Sequence, residues 1–336
     1  MRILRNYISV LVLLLVVSAC SHKDLCIEHP HLVPVRIEAN WDKFSELPVN
    51  MTVIFYPKDG TEVIVVRNSN HHTTRVKVPV NTYDVVVFNE HVSDFGTIGF
   101  KDMKDYATAE AYVTNLVKTR IMQLSADTKV MADPERLGVA LIKDYEVTER
   151  MLETYRYQLE YAFPIEDNVM AVSPEDKVYM AELKFKAKGL QYVRAVEGTL
   201  SGLAGGYLFS KDSPSTDRVT HMLTNWQKVY TTRSEEGEGY LSAICWTFGL
   251  PSDHTGEPEQ NVLKMSVPLV DLVTVMDFEF MVGDRISIDN SGEHIVFNIE
   301  LDLDIVFPEV HPEEDVNNGL VIDPSFDGDH WVEWNP

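Results

Sequence analysis

The chain is poor in cysteine and in positive charge, and beyond its first twenty residues it has no long apolar run. Three cysteines in 336 residues cannot build a disulfide scaffold. Its 29 basic side chains are outnumbered by 52 acidic ones, a net charge of −23. Such a surface repels phosphate backbones, so nucleic acid is not an expected partner. After residue 19 no stretch reaches 18 uninterrupted apolar residues, so no later segment qualifies as a spanning helix. Also missing are a Walker loop, a zinc-protease helix pair and a G-x-S-x-G elbow. No enzyme activity and no cofactor are therefore expected. With 45% hydrophobic residues, 17 Gly and 16 Pro, the composition excludes a wholly disordered or collagenous chain.

The first twenty residues read as an address. Arg2 and Arg5 form a positive n-region, Ile8 to Val17 is almost unbroken apolar sequence, and Val17-Ser18-Ala19-Cys20 follows directly. That run is too short to span a bilayer and matches a signal peptide. The small residues before Cys20 fit a lipobox, in which the cysteine thiol is alkylated by diacylglycerol and cleavage makes Cys20 the first residue. Acyl chains at about 0.8 kcal/mol per buried CH₂ give a stable membrane anchor. Loss of Arg2 and Arg5 with the leader would take the net charge from −23 to −25. Of the other cysteines, Cys245 lies in the apolar run Ala243-Ile244-Cys245-Trp246 and reads as a small buried residue. Pairing with the distant Cys26 is the alternative.

Along the remaining chain the dominant period is two. Val33, Val35, Ile37, Ala39 and Trp41 alternate with Pro34, Arg36, Glu38 and Asn40. Met51, Val53 and Phe55 repeat the pattern up to Pro57 and the turn Lys58-Asp59-Gly60. Val76, Val78 and Val80 lead through Asn81-Thr82 into Tyr83 to Asn89, an expected hairpin in which Asn81 is able to take positive φ. Further strands are read over Tyr179 to Lys188, over Leu263 to Leu269, and over Ile295 to Phe307. The last would extend about 43 Å at about 3.3 Å per residue, so a bend or bulge is expected in it. Between Asp105 and Leu124, Ala107 to Lys118 could form a helix or Ala111 to Val113 a strand, and the strand is favoured.

Short strands divided by turns predict an all-β chain of two transthyretin-like or Ig-like antiparallel β-sandwiches in tandem. The expected divisions are a signal peptide at 1–19, a lipidated tether at 20–31, an N-terminal sandwich at 32–165 and a C-terminal sandwich at 166–336. The second carries an acidic surface tail from Pro308 to Pro336.

Several clusters could carry chemistry, and each has a plainer reading. Gly202 to Gly206 is glycine-rich but lacks the strand–helix setting of a dinucleotide site, so a turn or close sheet packing is expected. His29 and His31, and His71 and His72, lack a second ligand cluster at zinc-site spacing, so no metal is assigned to them. Asp323 to Gly328 begins like a calcium loop, but the twelfth position is Trp334, with Glu333 one place early. Carboxylates are plentiful, yet none can be paired from sequence as a glycosidase would need. Trp226, Trp331 and Trp334 lie in polar stretches and are candidates for stacking on a sugar, whereas Trp41 and Trp246 read as core.

A family resemblance emerges from particular stretches. They are Cys20 to Cys26 with His29-Pro30-His31 and the Arg36-containing strand ending at Trp41; Met51 to Pro57; Val78 to Tyr83; Val193 to Gly206; Trp246 to Gly249; and Asn261 to Leu263. Together they resemble the uncharacterised fimbrillin-like surface lipoproteins of Bacteroidetes, in order and over most of the chain. The Cys20–Cys26 opening and Leu200 to Gly206 are the most specific parts. The resemblance implies two transthyretin-like sandwiches, lipid attachment at Cys20, an outer-membrane or cell-surface location, and partners that are other fimbrial subunits joined by strand addition. Lys23-Asp24 is similar to the short signal that sends such lipoproteins outward. In fimbrillins an arginine-specific protease removes the first strand, and the groove accepts a strand from another subunit. This sequence has no arginine between Trp41 and Arg67, only Lys43 and Lys58. That departure favours an uncleaved anchor or accessory subunit over a processed shaft. The alternative is a surface module for a glycan or host ligand, with Trp331 and Trp334 as stacking residues.

Overall fold

The computed structural model describes residues 31–114, 130–231, 237–292 and 295–312. In chain order the described strands begin with β1 (Leu32–Ala39), β2 (Met51–Pro57), β3 (Ile64–Asn68), β4 (Thr73–Pro79) and β5 (Asn81–Asn89). Then come β6 (Ile98–Lys101), β7 (Glu110–Val113), β8 (Val130–Met131) and β9 (Gly138–Val147). Helix α1 (Glu149–Glu160) precedes β10 (Asn168–Val172), β11 (Glu175–Asp176), β12 (Tyr179–Lys188), β13 (Glu197–Ala204), β14 (Gly206–Leu208) and β15 (Ser213–Pro214). The remainder are β16 (Arg218–Tyr230), β17 (Gly239–Thr247), β18 (Val262–Pro268), β19 (Val275–Met281), β20 (Ile286–Asp289) and β21 (Val296–Val306). The chain is all-β in architecture and forms two compact units. Unit 1 runs through Asp94 and adds Lys104–Ala107 and Gly138–Glu175; unit 2 holds Phe95–Met103, Thr108–Leu137 and everything from Asp176. Neither unit is one continuous stretch.

Unit 1 has a three-stranded sheet in the order β10-β1-β4 and a five-stranded one in the order β11-β9-β5-β2-β3. The period of two explains the core. Val33, Val35 and Ile37 of β1 pack with Val53 and Phe55 of β2 and Tyr83, Val85 and Val87 of β5. The expected hairpin between Val76 and Asn89 is corrected by the topology. β4 pairs with β1, whereas β5 pairs with β2 and β9, so the chain crosses from one sheet to the other at Val80. Asn81 is not among the residues with positive φ. Alternating valines with a short polar turn look the same whether the second strand folds back or crosses over.

Helix α1 was not anticipated. Thr148 caps it, its Oγ accepting from the Met151 N–H at 3.3 Å, and Glu149 complements the N-terminal dipole. Only Leu152 and Tyr155 are buried, too narrow an apolar stripe to stand out by period.

Unit 2 is built on the strand order β19-β18-β13-β16-β17-β12-β21-β20, with β8 beside β16. Long β16 serves two layers. It pairs with β13 up to Leu223 and with β17 from Thr224 onward, and the register shifts between Thr224 and Gln227, where Asn225 has φ 52°. The core fills from both layers with Leu183 and Phe185, Leu200 and Leu203, Leu241 and Cys245, Leu263 and Met265, and Ile299. The anticipated irregularity in the last strand appears as a register shift of β21 against β12 between Phe185 and Ala187. Strand Glu110–Val113 bears out the choice at Ala111 to Val113; residues 115–124 lie outside the described ones. Pairing is mostly antiparallel, but β1–β10, β12–β21 and β16–β8 run parallel.

Candidate functional site: a first strand held on both edges

The first strand is the centre of its sheet. β1 makes seven antiparallel register pairs with β4, from Leu32↔Pro79 to Glu38↔Thr73. On its other edge it makes five parallel pairs with β10, from Val35↔Asn168 to Ala39↔Val172. Val33, Val35 and Ile37 are wholly buried. At about 1.5–3 kcal/mol per fully buried aliphatic side chain, these three contribute a large share of a typical domain's stability. The exit of the strand is fastened too. Ala39 N–H donates to His72 O and Asn40 N–H to Val172 O, both at 2.8 Å. Trp41 is buried edge-on to Phe44, and its Nε1–H donates to His71 O at 2.7 Å.

The basic residues around this strand are engaged. Arg36 lies inside β1, 2.8 Å from Glu38 and 3.9 Å from Asp167, which Arg75 also reaches at 2.7 Å. Lys43 pairs with Glu175 at 2.8 Å. Lys58 sits between Asp84 at 3.0 Å and Asp144 at 2.8 Å.

Outer strands present a different surface. Among the described residues β19 pairs with β18 alone. Val275, Asp277, Glu279 and Met281 point outward, while Met276, Phe278 and Phe280 lean on the core half-buried. Acidic side chains on such an edge oppose indiscriminate strand pairing.

The other predicted residues are dispersed. The rings of His71 and His72 lie 4.0 Å apart, tilted by 48°, and the described residues contain no group of three or more His, Cys, Asp or Glu placed to hold a metal. Trp226 is not free for stacking: it packs against the unit 2 core, with Nε1–H donating to Leu223 O at 3.2 Å. Trp246 is half-buried on the face opposite Cys245, not in the core, whereas Trp41 and Cys245 are fully buried. The signal peptide, Cys20, Cys26, His29, the segment Asp323 to Gly328, Trp331 and Trp334 lie outside the described residues.

One buried titratable pair escaped the sequence reading. His221 of β16 is fully buried, and its Nδ1 is 3.9 Å from Asp133 Oδ1. Burial lowers the imidazole to about 4 and raises the carboxyl to about 7. The thiol of nearby Cys245 is pushed up by burial and by Asp133. The linkage signs oppose each other. Folded Asp133 keeps a proton that the unfolded chain releases, so its contribution is lost as pH rises toward about 7. Folded His221 refuses a proton that the unfolded chain takes, so its contribution is lost as pH falls toward about 4. Asp133→Asn should therefore make stability rise more steeply with pH between about 4 and 6.5, by up to about 1.4 kcal/mol per unit. Urea melts across that window check this, and parallel curves for variant and wild type would refute it.

The profile described as "Domain of unknown function (DUF5119)" matches residues 19–224. The chain belongs to that family. The chain is also similar to a Bacteroides ovatus protein named as a candidate fimbrium anchoring subunit, Fim4B. The two are 29% identical over 199 residues, 59% of this chain and 54% of the relative. This DUF5119 chain thus spans about half the length of the curated relative it matches. Among solved structures, a candidate adhesin from Bacteroides ovatus has a TM-score of 0.58 at 21% identity, covering 87% of this chain and 98% of its own, so the fold is shared. The fimbrial anchor protein Mfa2 from Porphyromonas gingivalis is similar at a TM-score of 0.48 and 12% identity, covering 81% of this chain and 90% of its own.

Proposed function

We propose that this protein is a fimbrium-related subunit of the cell surface, in an anchor or accessory position, held in the outer membrane by lipid on Cys20. It joins other surface subunits through open strand edges. It has no catalytic role. The observation that carries this reading is the first strand, paired on both edges inside its own unit with no arginine between Trp41 and Arg67. A subunit that keeps this strand also keeps the tether attached to it. Load on the tether would then pass into the fold along both edges of β1. The relation to a candidate anchoring subunit supports the same role.

Labelling with a palmitate analogue tests the anchor. Wild-type protein should carry label and partition with membranes, and Cys20→Ser should lose both. Label retained in Cys20→Ser would overturn the lipid assignment. Incubation with candidate shaft subunits, with and without protease, tests assembly. A detergent-resistant complex that forms without loss of β1 is expected.

A further inference from the structure

Beside the closed first strand, α1 and the segment returning to β10 line an open cleft of about 370 Å³ in which polar groups and the apolar Met151 and Tyr155 share the walls. That volume falls at the lower end of the roughly 300–1,000 Å³ of small-ligand sites. One wall is the helix, contributing Arg150, Thr154 and Gln158; the other is Glu166 and Asp167. The carboxylate of Asp167 is fixed by Arg36 and Arg75. Donating side chains (Arg150, Gln158) and accepting carboxylates (Glu166, Asp167) thus line one small space, a combination suited to hydroxyl groups, which both donate and accept.

The cleft continues into a ridge of exposed rings. Arg150, Thr154, Tyr157 and Tyr161 follow one another at helical spacings of four, three and four, so the stripe that forms the wall runs on into the rings. Phe163 folds back, its N–H donating to Gln158 O at 2.9 Å, and its ring stacks on Tyr157 at 5.7 Å and 19°. The Tyr161 ring lies 4.6 Å from that of Tyr157, tilted by 41°. Each of the three residues is more than half exposed. Leaving three clustered rings in water is costly unless something covers them.

We infer that this cleft and ridge form a binding site for a neutral saccharide. A pyranose ring has an apolar face that stacks on an aromatic ring and an edge of hydroxyls that the cleft can satisfy. An acyl chain or an apolar peptide side chain would bring nothing to pair with the polar groups of the walls. A polyanionic ligand would be repelled by a chain of net charge −23. The inference does not depend on the fimbrial role, since it uses other residues.

The test is calorimetric titration of the full chain with α1,4- and β1,4-linked glucose, mannose and xylose hexasaccharides and with N-acetyllactosamine oligomers. At least one should saturate, and Tyr157→Ala and Gln158→Ala should each weaken it tenfold or more. Tyr230→Ala, an exposed ring elsewhere, should not. Circular dichroism confirms that the variants, both surface changes, remain folded. Three outcomes would overturn the inference: no probe saturating, binding indifferent to both variants, or rings that instead mediate self-association or sedimentation with phosphatidylcholine vesicles.

Discussion

Removing residues 20–41 is expected to leave unit 1 unfolded, not open. The deletion takes out the middle strand of a three-stranded sheet, and with it Val33, Val35, Ile37 and Trp41, all fully buried. Three aliphatic side chains at about 1.5–3 kcal/mol each, plus a Trp whose truncation alone costs about 3–5 kcal/mol, match or exceed the usual stability of about 5–15 kcal/mol. Nothing in the sheet could close the gap, because β4 and β10 touch only through β1. Proteolysis should then cleave within the unit 1 segments, 42–94 and Gly138–Glu175, while the strands of unit 2 stay protected. Adding a peptide of residues 31–41 in trans should restore part of the protection. A truncated chain that stays resistant by itself would show that β1 is dispensable and that the groove is a receptor.

The second large effect is expected at Gly202. This glycine has φ +78° and sits at the bulge where the register of β13 against β16 shifts between Ser201 and Leu203. An added Cβ would lie 1.8 Å from the carbonyl oxygen of Gln260, which is backbone and cannot swing aside. The left-handed conformation costs a non-glycine residue about 1–2 kcal/mol, and overpacking adds about 1–3 kcal/mol. Gly202→Ala should therefore destabilise unit 2 by roughly 2–5 kcal/mol. Chemical denaturation followed by Trp226 fluorescence would measure it, and a loss below about 1 kcal/mol would show that the bulge relaxes.

These two sites mark what could be read from the chain. The strand alternations at Val33, Met51, Tyr179, Leu263 and Ile295 were legible because one side of each strand faces a core, and burial imposes the period directly. The Leu200–Gly206 stretch was legible as close packing, although which backbone it approaches depends on the fold of Gln260 beside it. What escaped was set by contacts distant in sequence. The parallel partnership of β1 with β10 joins residues more than 130 positions apart. The crossing at Val80 depends on which sheet each neighbouring strand finds. Helix α1 hid behind polar residues, although Thr148 before a run free of Gly and Pro was an available signal. The aromatic ridge is also written locally, in Tyr157, Tyr161 and Phe163, but rings in a polar stretch carry no signal of which of them cluster. His221 and Asp133 could not be paired from sequence at all, since β8 brings Asp133 to β16.

The account turns on whether the first strand stays with the protein that reaches the surface. Intact mass spectrometry of the protein extracted from cell envelopes measures this directly. The predicted result is a chain that begins at an acylated Cys20 and retains Val33 to Trp41. A mature N-terminus at or beyond Asp42 would contradict it, because the tether and the central strand would both be gone.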